Sequence, residues 1–572
     1  MQHCSQSYYL FKKTQYFSFL SKIWTFAIAA LVGLLVPCSC TAPGSKNVLM
    51  IVADDGGFEM QVYGNSACRT PHLDQLAKRS TVFTRAFTAV SSCSPSRSAI
   101  LTGLPTHQNG MYGLHQGYHH FNSFDGVRSL PGILAEHDVR TGIVGKKHVG
   151  PEAVYPFDFA HTEETESIMQ VGRNITRMRL LVRQFLQAND SRPFFLYVGF
   201  HDPHRCGHTQ PQFGQFCEKF GNGEPGMGYI PDWRPTAYDP AQVEVPFFVQ
   251  DTPAARADLA AQYTTLSRLD QGVGLILQEL ESAGHAQDTL VVYTSDNGIP
   301  FPAGRTNLYD PGMAEPLLVS SPLHPASWGN TTAALASLLD LTPTVLDWMN
   351  ITYPKYSILK KDEPAILTGK SLLRYLTPES QKSEGESRQD PRGAADDEER
   401  RANSVRQDVR QTRHDPTLTA EELSDAVFAS HDLHEVTMYY PMRAVRTHTF
   451  KLIHNLNYKM PFPIDQDFYL APVFQDILNR TQEGAPLPWY KTLQEYYYRD
   501  EWELYDLLVD PHEQFNVARK GRYQGVLRLL QEKLWAWQNA TYDPWVCGPG
   551  AVLQDSGAYA HHHQCLPLYN GL

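Results

Sequence analysis

Residues 47–55, Asn-Val-Leu-Met-Ile-Val-Ala-Asp-Asp (NVLMIVADD), decide the fold. Asn47–Ala53 is a short, unbroken apolar run rich in β-branched residues, which is how a strand reads when both its faces are buried. Three more runs share the pattern: Thr141–Gly145, Phe194–Phe200 (FFLYVGF) and Thr289–Thr294 (TLVVYT). Helix-like stretches lie between them, at Pro71–Ser80 and at Ala254–Ala283, the latter with apolar spacing near 3.6. Strands buried on both faces and separated by helices predict an α/β fold: a large mixed, mostly parallel sheet flanked by helices. From about Val427 the pattern changes to shorter alternating segments (Ala444–Leu456) and a late helix (Tyr523–Gln538), predicting a smaller C-terminal α+β domain.

Polar residues cluster where these strands end. Asp54 and Asp55 follow the first run, and Lys146, Lys147 and His148 the second. His201, Asp202 and His204 follow the third, and Asp296 and Asn297 the fourth. Ligands of open parallel sheets bind beyond the carboxyl ends of the strands. A single Asp after a strand is usually a cap or turn, but four strands delivering such groups to one rim predict a site. Asp54, Asp55, Asp296 and Asn297 are hard oxygen donors, which suit Ca²⁺ or Mg²⁺ rather than zinc.

The chain of 572 residues carries a formal charge of −12 and is 42% hydrophobic, which excludes wholesale disorder and argues against a nucleic-acid partner. Lys12, Lys13 and Lys22 precede an apolar stretch, Trp24–Val36, and a small-residue exit, so residues 1–43 read as a secretory signal peptide with no stable membrane anchor, the long n-region leaving a signal-anchor as the alternative. Six sequons, at Asn174, Asn189, Asn330, Asn350, Asn479 and Asn539, fit an exported glycoprotein. Of nine Cys, Cys4, Cys38 and Cys40 leave with the signal peptide; Cys206 with Cys217, and Cys547 with Cys565, bracket short loops and read as local disulfides, which leaves Cys68 and Cys93 over. The expected organisation is a catalytic domain at 44–378, an insertion at 379–415 and a smaller domain at 416–572. The insertion holds 10 acidic and 8 basic residues and no aromatic one, so it is expected to be solvated and disordered.

Cys93-Ser-Pro-Ser-Arg-Ser-Ala-Ile-Leu-Thr-Gly103 matches the sulfatase signature C-x-P-S-R-x-x-x-L-T-G at every specified position. The chain therefore resembles the sulfatase family, and within it the lysosomal heparan N-sulfatase (sulfamidase) branch. That resemblance extends over VADDGGFE (52–59), HHFNSFDGVRSLP (119–131), GKKHVGPEAVYPFDFA (145–160), FHDPHRCGH (200–208), SDNGIPFPAGRTNLY (295–309) and HEVTMYYPMRAVR (434–446). It implies an alkaline-phosphatase-like fold and a Cys93 converted by the formylglycine-generating enzyme into formylglycine, whose hydrate is the nucleophile. It also implies one Ca²⁺ per subunit, held by Asp54, Asp55, residue 93, Asp296 and Asn297. Arg97 and His148 would orient and deprotonate the hydrate, Lys146 and Arg305 would grip the sulfate, Asp202 would contact substrate, and His204 would protonate the leaving group. Many ester sulfatases have Lys where this chain has Arg305, in keeping with the sulfamidase branch. The implied activity is removal of the N-linked sulfate from N-sulfoglucosamine at the non-reducing end of heparan sulfate, in a lysosomal homodimer.

The residues support this chemistry independently. Pro95 and the helical stretch after it place residue 93 near a helix N-terminus, where backbone N–H groups favour an anion. A sulfuryl group is anionic, so attack on it needs neutralising cations, and a gem-diol can attack through one hydroxyl while the second allows the aldehyde to re-form. An imidazole with an ordinary pKa is protonated at acidic pH, as a donor at His204 requires. Two other readings are a metal-dependent phosphatase or phosphodiesterase using Ser or Thr, against which the Cys signature speaks, and a catalytically silent glycan-binding protein. An O-sulfatase acting on another glycosaminoglycan is a further alternative.

Overall fold

The computed structural model describes residues 46–207, 213–361, 363–376, 418, 424–559 and 562–569. The leader at 1–43 and the insertion at 379–415 lie outside the described residues. A nine-stranded sheet runs in the order β4-β3-β5-β1-β6-β7-β2-β8, with β9 also paired to β2. Its strands are β1 (Asn47–Asp54), β2 (Thr81–Phe87), β3 (Arg140–Gly145), β4 (Phe159–Thr162), β5 (Phe194–Pro203), β6 (Thr289–Ser295), β7 (Ala314–Ser320), β8 (Thr331–Thr332) and β9 (Ala336–Ser337). β1 lies at its centre, parallel to β5 and to β6. β7 is antiparallel to both β6 and β2, which makes the sheet mixed.

Each central strand feeds two cores, because successive side chains point to opposite faces. Leu49, Ile51 and Ala53 of β1 join one core, with Leu196 and Val198 of β5 and Tyr293 of β6. Val48, Met50 and Val52 join the other, with Phe195, Tyr197 and Val292. Helices cover these faces: α1 (Pro71–Ala77), α2 (Cys93–Thr102), α3 (Ile175–Leu186) and the long α4 (Pro253–Ser282). α4 begins on a Thr252 hydroxyl that accepts from the Ala255 N–H, with Pro253 at its first position, where a missing N–H costs nothing.

The C-terminal part builds a second, antiparallel sheet from β10 (Val427–His431), β11 (Met442–Arg446), β12 (Phe450–Asn455) and β13 (Trp502–Asp506). One face of this sheet (Ala429, Met442, Ala444, Ile453, Tyr505) joins the same core as β1. The other face (Val445, Phe450, Leu452, Leu504) is covered by Leu530 and Leu534 of α5 (Gln524–Ala540). The described residues from Lys46 onward thus pack as one compact unit. A last hairpin, β14 (Ala551–Gln554) with β15 (Gln564–Pro567), carries the Cys547–Cys565 disulfide, and Cys206–Cys217 forms the other expected bridge. Cys68 and Cys93 are free and buried. Among the described residues no helix is long and apolar enough to cross a membrane. None of the six sequon asparagines is buried. Asn189, Asn350, Asn479 and Asn539 are exposed, and Asn174 and Asn330 are half-buried.

Candidate active site

A cavity of about 450 Å³ opens over the carboxyl ends of β1, β3 and β5, and Cys93, Lys146, His148, His204, Arg305 and Asp467 line it. Cys93 opens α2, and Pro95 falls within the first turn, whose N–H groups have no acceptor inside the helix. Arg97, one turn on, is completely buried. It donates to Asp296 Oδ2 at 2.8 Å, to the Lys146 carbonyl at 3.0 Å and to the Tyr197 hydroxyl at 3.2 Å. Its donors are thus spent on holding the ends of β3 and β6 together.

The acidic residues interlock. The Asp55 N–H donates to Asp296 Oδ1 at 3.2 Å, and Asn297 Nδ2 donates to Asp55 Oδ1 at 2.7 Å. Lys146 pairs with Asp54, and Arg305 Nη1 donates to Asp55 Oδ2 at 2.6 Å. Asp55 (φ 59°) and His148 (φ 56°) both adopt the left-handed backbone region, a strained conformation that persists where the surrounding structure enforces it. At Gly145 (φ 96°) a Cβ would meet the Gly199 carbonyl oxygen at 2.0 Å, so only glycine lets β3 turn into Lys146 against β5.

Burial dominates the electrostatics. It pushes Asp55 up to about 7 against the pull of Arg305, with Asp54 and Asp296 adding to the rise. It pushes Asp296 up to about 6, opposed by Arg97. At Asp54 the burial penalty is outweighed by Lys146, then His204, Arg97 and His201, and the carboxyl sits well below its usual range. Burial and three neighbouring carboxylates push the Cys93 thiol far up, against Lys146, so an unmodified thiol here would stay protonated and be a poor nucleophile. Burial, then Lys146 and Arg97, keeps His148 neutral. Both its ring nitrogens are buried without a partner, as a base awaiting a proton would be.

The residues present fit a hard divalent cation. Asp54 Oδ1 and Asn297 Oδ1 are buried acceptors with no donor, and Asp54, Asp55, Cys93 and His204 offer ligand atoms within 4.8 Å of one another. A bound cation would satisfy those oxygens and let the crowded carboxylates ionise together.

Two sequence expectations change. His204 is not a standing imidazolium: burial first, then Lys146 and Arg305, hold it well below the ordinary range against Asp54 and Asp467. Its Nδ1 lies 2.7 Å from the Arg205 carbonyl and must carry the proton, which leaves Nε2 to accept from Arg305 at 2.9 Å. Asp202 turns away from the cavity. Arg268 takes both its oxygens, at 2.7 and 2.8 Å, and Arg173 also donates to Oδ1. The other expected residues come together as the strand ends implied. The C-terminal residues Asp465 and Asp467, which sequence reasoning passed over, hold Arg305. Glu163, 2.9 Å from His201, and His434, 2.8 Å from the Ser92 hydroxyl, complete the walls. Only the 434–446 stretch had marked any of these.

The family model Sulfatase matches residues 46–351. Human N-sulphoglucosamine sulphohydrolase is 59% identical over 545 residues, spanning 95% of this chain and 99% of that protein. A solved structure in complex with its substrate, D-glucosamine-2-N,6-O-disulfate, superposes with a TM-score of 0.55 at 18% identity, covering 87% of this chain and 98% of that one. The phosphonate monoester hydrolase of Agrobacterium radiobacter superposes with a TM-score of 0.53 at 18% identity, covering 87% and 96%, which places both on one fold. With the signature at Cys93 opening a helix beneath this acidic and basic cluster, the chain belongs to the sulfatase family.

Proposed function

We propose that this protein hydrolyses the N-linked sulfate of N-sulfoglucosamine at the non-reducing end of heparan sulfate. The observation that carries the reading is the 59% identity to human N-sulphoglucosamine sulphohydrolase over nearly the whole of both chains. The cavity supports it, since a single sulfated sugar fits its volume of about 450 Å³.

Asp54, Asp55, residue 93, Asp296 and Asn297 would hold one Ca²⁺, which when bound neutralises the charge of the sulfuryl oxygens. Residue 93, converted by the formylglycine-generating enzyme during export, would supply a hydrated aldehyde as the oxygen nucleophile. Arg97 fixes Asp296 and the end of β3, so the hydrate meets a rigid frame. Neutral His148 takes a proton from it. Lys146 and Arg305, at the cavity wall, bind the sulfate oxygens. Nitrogen cannot leave as an amide anion, so a proton must reach it, and His204, with a ring nitrogen within 4.8 Å of Cys93 Sγ, is placed to give it. Burial holds the His204 imidazole well below its ordinary range, and an anionic sulfamate beside it raises its proton affinity. The setting we propose is a lysosomal homodimer.

The test is sulfate release from oligosaccharides ending in N-sulfoglucosamine, compared with 6-O-sulfated, N-acetylated ends. Release from the N-sulfated end alone is expected. Release only from the 6-O-sulfated control would replace this reading with an O-sulfatase.

A further inference from the structure

Asp467 is held by Arg305 and by a side-chain hydrogen bond with Asp465. Its Oδ1 meets Asp465 Oδ2 on the same guanidinium nitrogen, Nη2 of Arg305. Its Oδ2 accepts no hydrogen bond although it is buried, and the side chain is nine-tenths buried at the wall of the cavity. The His204 imidazole stands beside that oxygen, with Nδ1 3.9 Å away. His204 in turn has a ring nitrogen within 4.8 Å of Cys93 Sγ. An unpaired carboxylate oxygen therefore stands one imidazole away from the nucleophile position, beside the arginine assigned to the sulfate. A buried acceptor without a donor is costly to keep, so a donor from the ligand is its natural complement.

The group that brings such a donor is the sulfamate itself. Its bridging atom is an N–H, whereas the bridging oxygen of a sulfate ester has lone pairs and no hydrogen. We infer that Asp467 is the residue that selects S–N over S–O substrates, its free Oδ2 accepting the sulfamate N–H. This rests on the function proposed above. With an ester, that oxygen would face lone pairs and stay unpaired in a dry site, and sites built to bind an N–H reject analogues lacking it strongly. Asp465 is a positioning residue here, since its Oδ1 caps the Phe468 N–H and its Oδ2 holds Arg305.

The test pairs N-sulfoglucosamine with glucose 2-sulfate, the same ring with oxygen in place of N–H. In Asp467→Asn the amide oxygen keeps Arg305 and the NH₂ replaces Oδ2, turning an acceptor into a donor. The ratio of kcat/KM for the N-sulfate over the ester should fall by at least ~10²-fold in Asp467→Asn. Asp465→Asn should lower both substrates together and leave the ratio unmoved. Equal losses on both substrates in Asp467→Asn would overturn the inference and leave Asp467 as a support for Arg305. Wild-type enzyme inactive on N-sulfoglucosamine would instead overturn the proposed function. Should Asp467→Asn fail to fold, binding of the two sugars to the Cys93→Ala protein replaces it. Affinity at least ~10-fold tighter for the N-sulfate is expected, one lost hydrogen bond being worth about that, and equal affinities refute the assignment.

Discussion

Replacing Asp202 with Asn should damage stability and turnover while leaving substrate affinity nearly unchanged. The carboxylate is fully buried between two fully buried guanidiniums. Arg268 also donates to the Cys217 and Phe220 carbonyls, and Arg173 to the His204 carbonyl at 2.8 Å, so one carboxylate ties α4, the disulfide loop and the His204 backbone together. Asp202→Asn removes the negative charge that the two guanidiniums share and sets an NH₂ against an N–H donor. Breaking a buried ion pair by removing one partner costs about 3–5 kcal/mol. At ~2 cal/mol/K per residue, a folded unit of this size loses on the order of 1 °C per kcal/mol, so Tm should drop by roughly 3–5 °C. The shift freed at His204 should lower kcat by up to ~10²-fold, the usual cost of a misplacement near 1 Å. Calorimetry on the purified variant gives the first quantity and steady-state kinetics the second. A variant with unchanged Tm and a KM raised more than about tenfold, the loss of one charged substrate contact, would refute the clamp and return Asp202 to the substrate.

Residue 93 of the exported protein should weigh about 18 Da less than cysteine, by mass spectrometry of its peptide, and Cys93→Ala should abolish turnover with the fold intact. Intact cysteine in fully active enzyme would contradict this. His204→Ala should slow N-sulfoglucosamine hydrolysis by ~10²–10⁴-fold and an activated aryl sulfate much less, whereas equal losses in kcat would remove His204 as the acid. Burial pushes Glu59 up to about 7, and its Oε2 has no partner. The folded state therefore holds that proton more tightly than the unfolded chain, so the stability is greatest below ordinary carboxylate pH and is lost as pH rises through about 7. Tm should be higher at pH 5 than at pH 8, and Glu59→Gln should shrink that difference. Deleting 379–415 should leave activity and Tm nearly unchanged, since the segment's composition offers little apolar surface to pack, and loss of secreted protein would show otherwise.

Strands β1, β5 and β6 and helix α4 were legible because burial on both faces leaves long uninterrupted signals. β2 and β7 were not: Thr84 and Arg85 interrupt TVFTRAF, and Glu315 and Pro316 open β7 as if it were a turn. The rim residues could be read because position after a strand is local information. What each one touches is not local. Asp202 meets Arg268, 66 residues away, and Arg305 meets Asp467, 162 residues away, so neither contact leaves any periodicity to find. The His204 charge state escaped for the same reason, since it depends on burial and on Arg305 rather than on the imidazole itself.

The wall around residue 93 also imposes an order in time. Ser92 is latched to His434, 342 residues further along, and Ala89 accepts from the Ser430 N–H at 2.8 Å. Once β10 docks, Cys93 is 1% exposed at the floor of the cavity. The enzyme proposed to convert Cys93 would have to reach it before then. At about 5–20 residues per second, the ribosome needs roughly 20–70 s to supply the closing segment after residue 92 has been made. That interval would be the window for the proposed modification. A change that hastens docking of β10 would yield protein that is folded, secreted and inert, a defect that no assay of stability would detect.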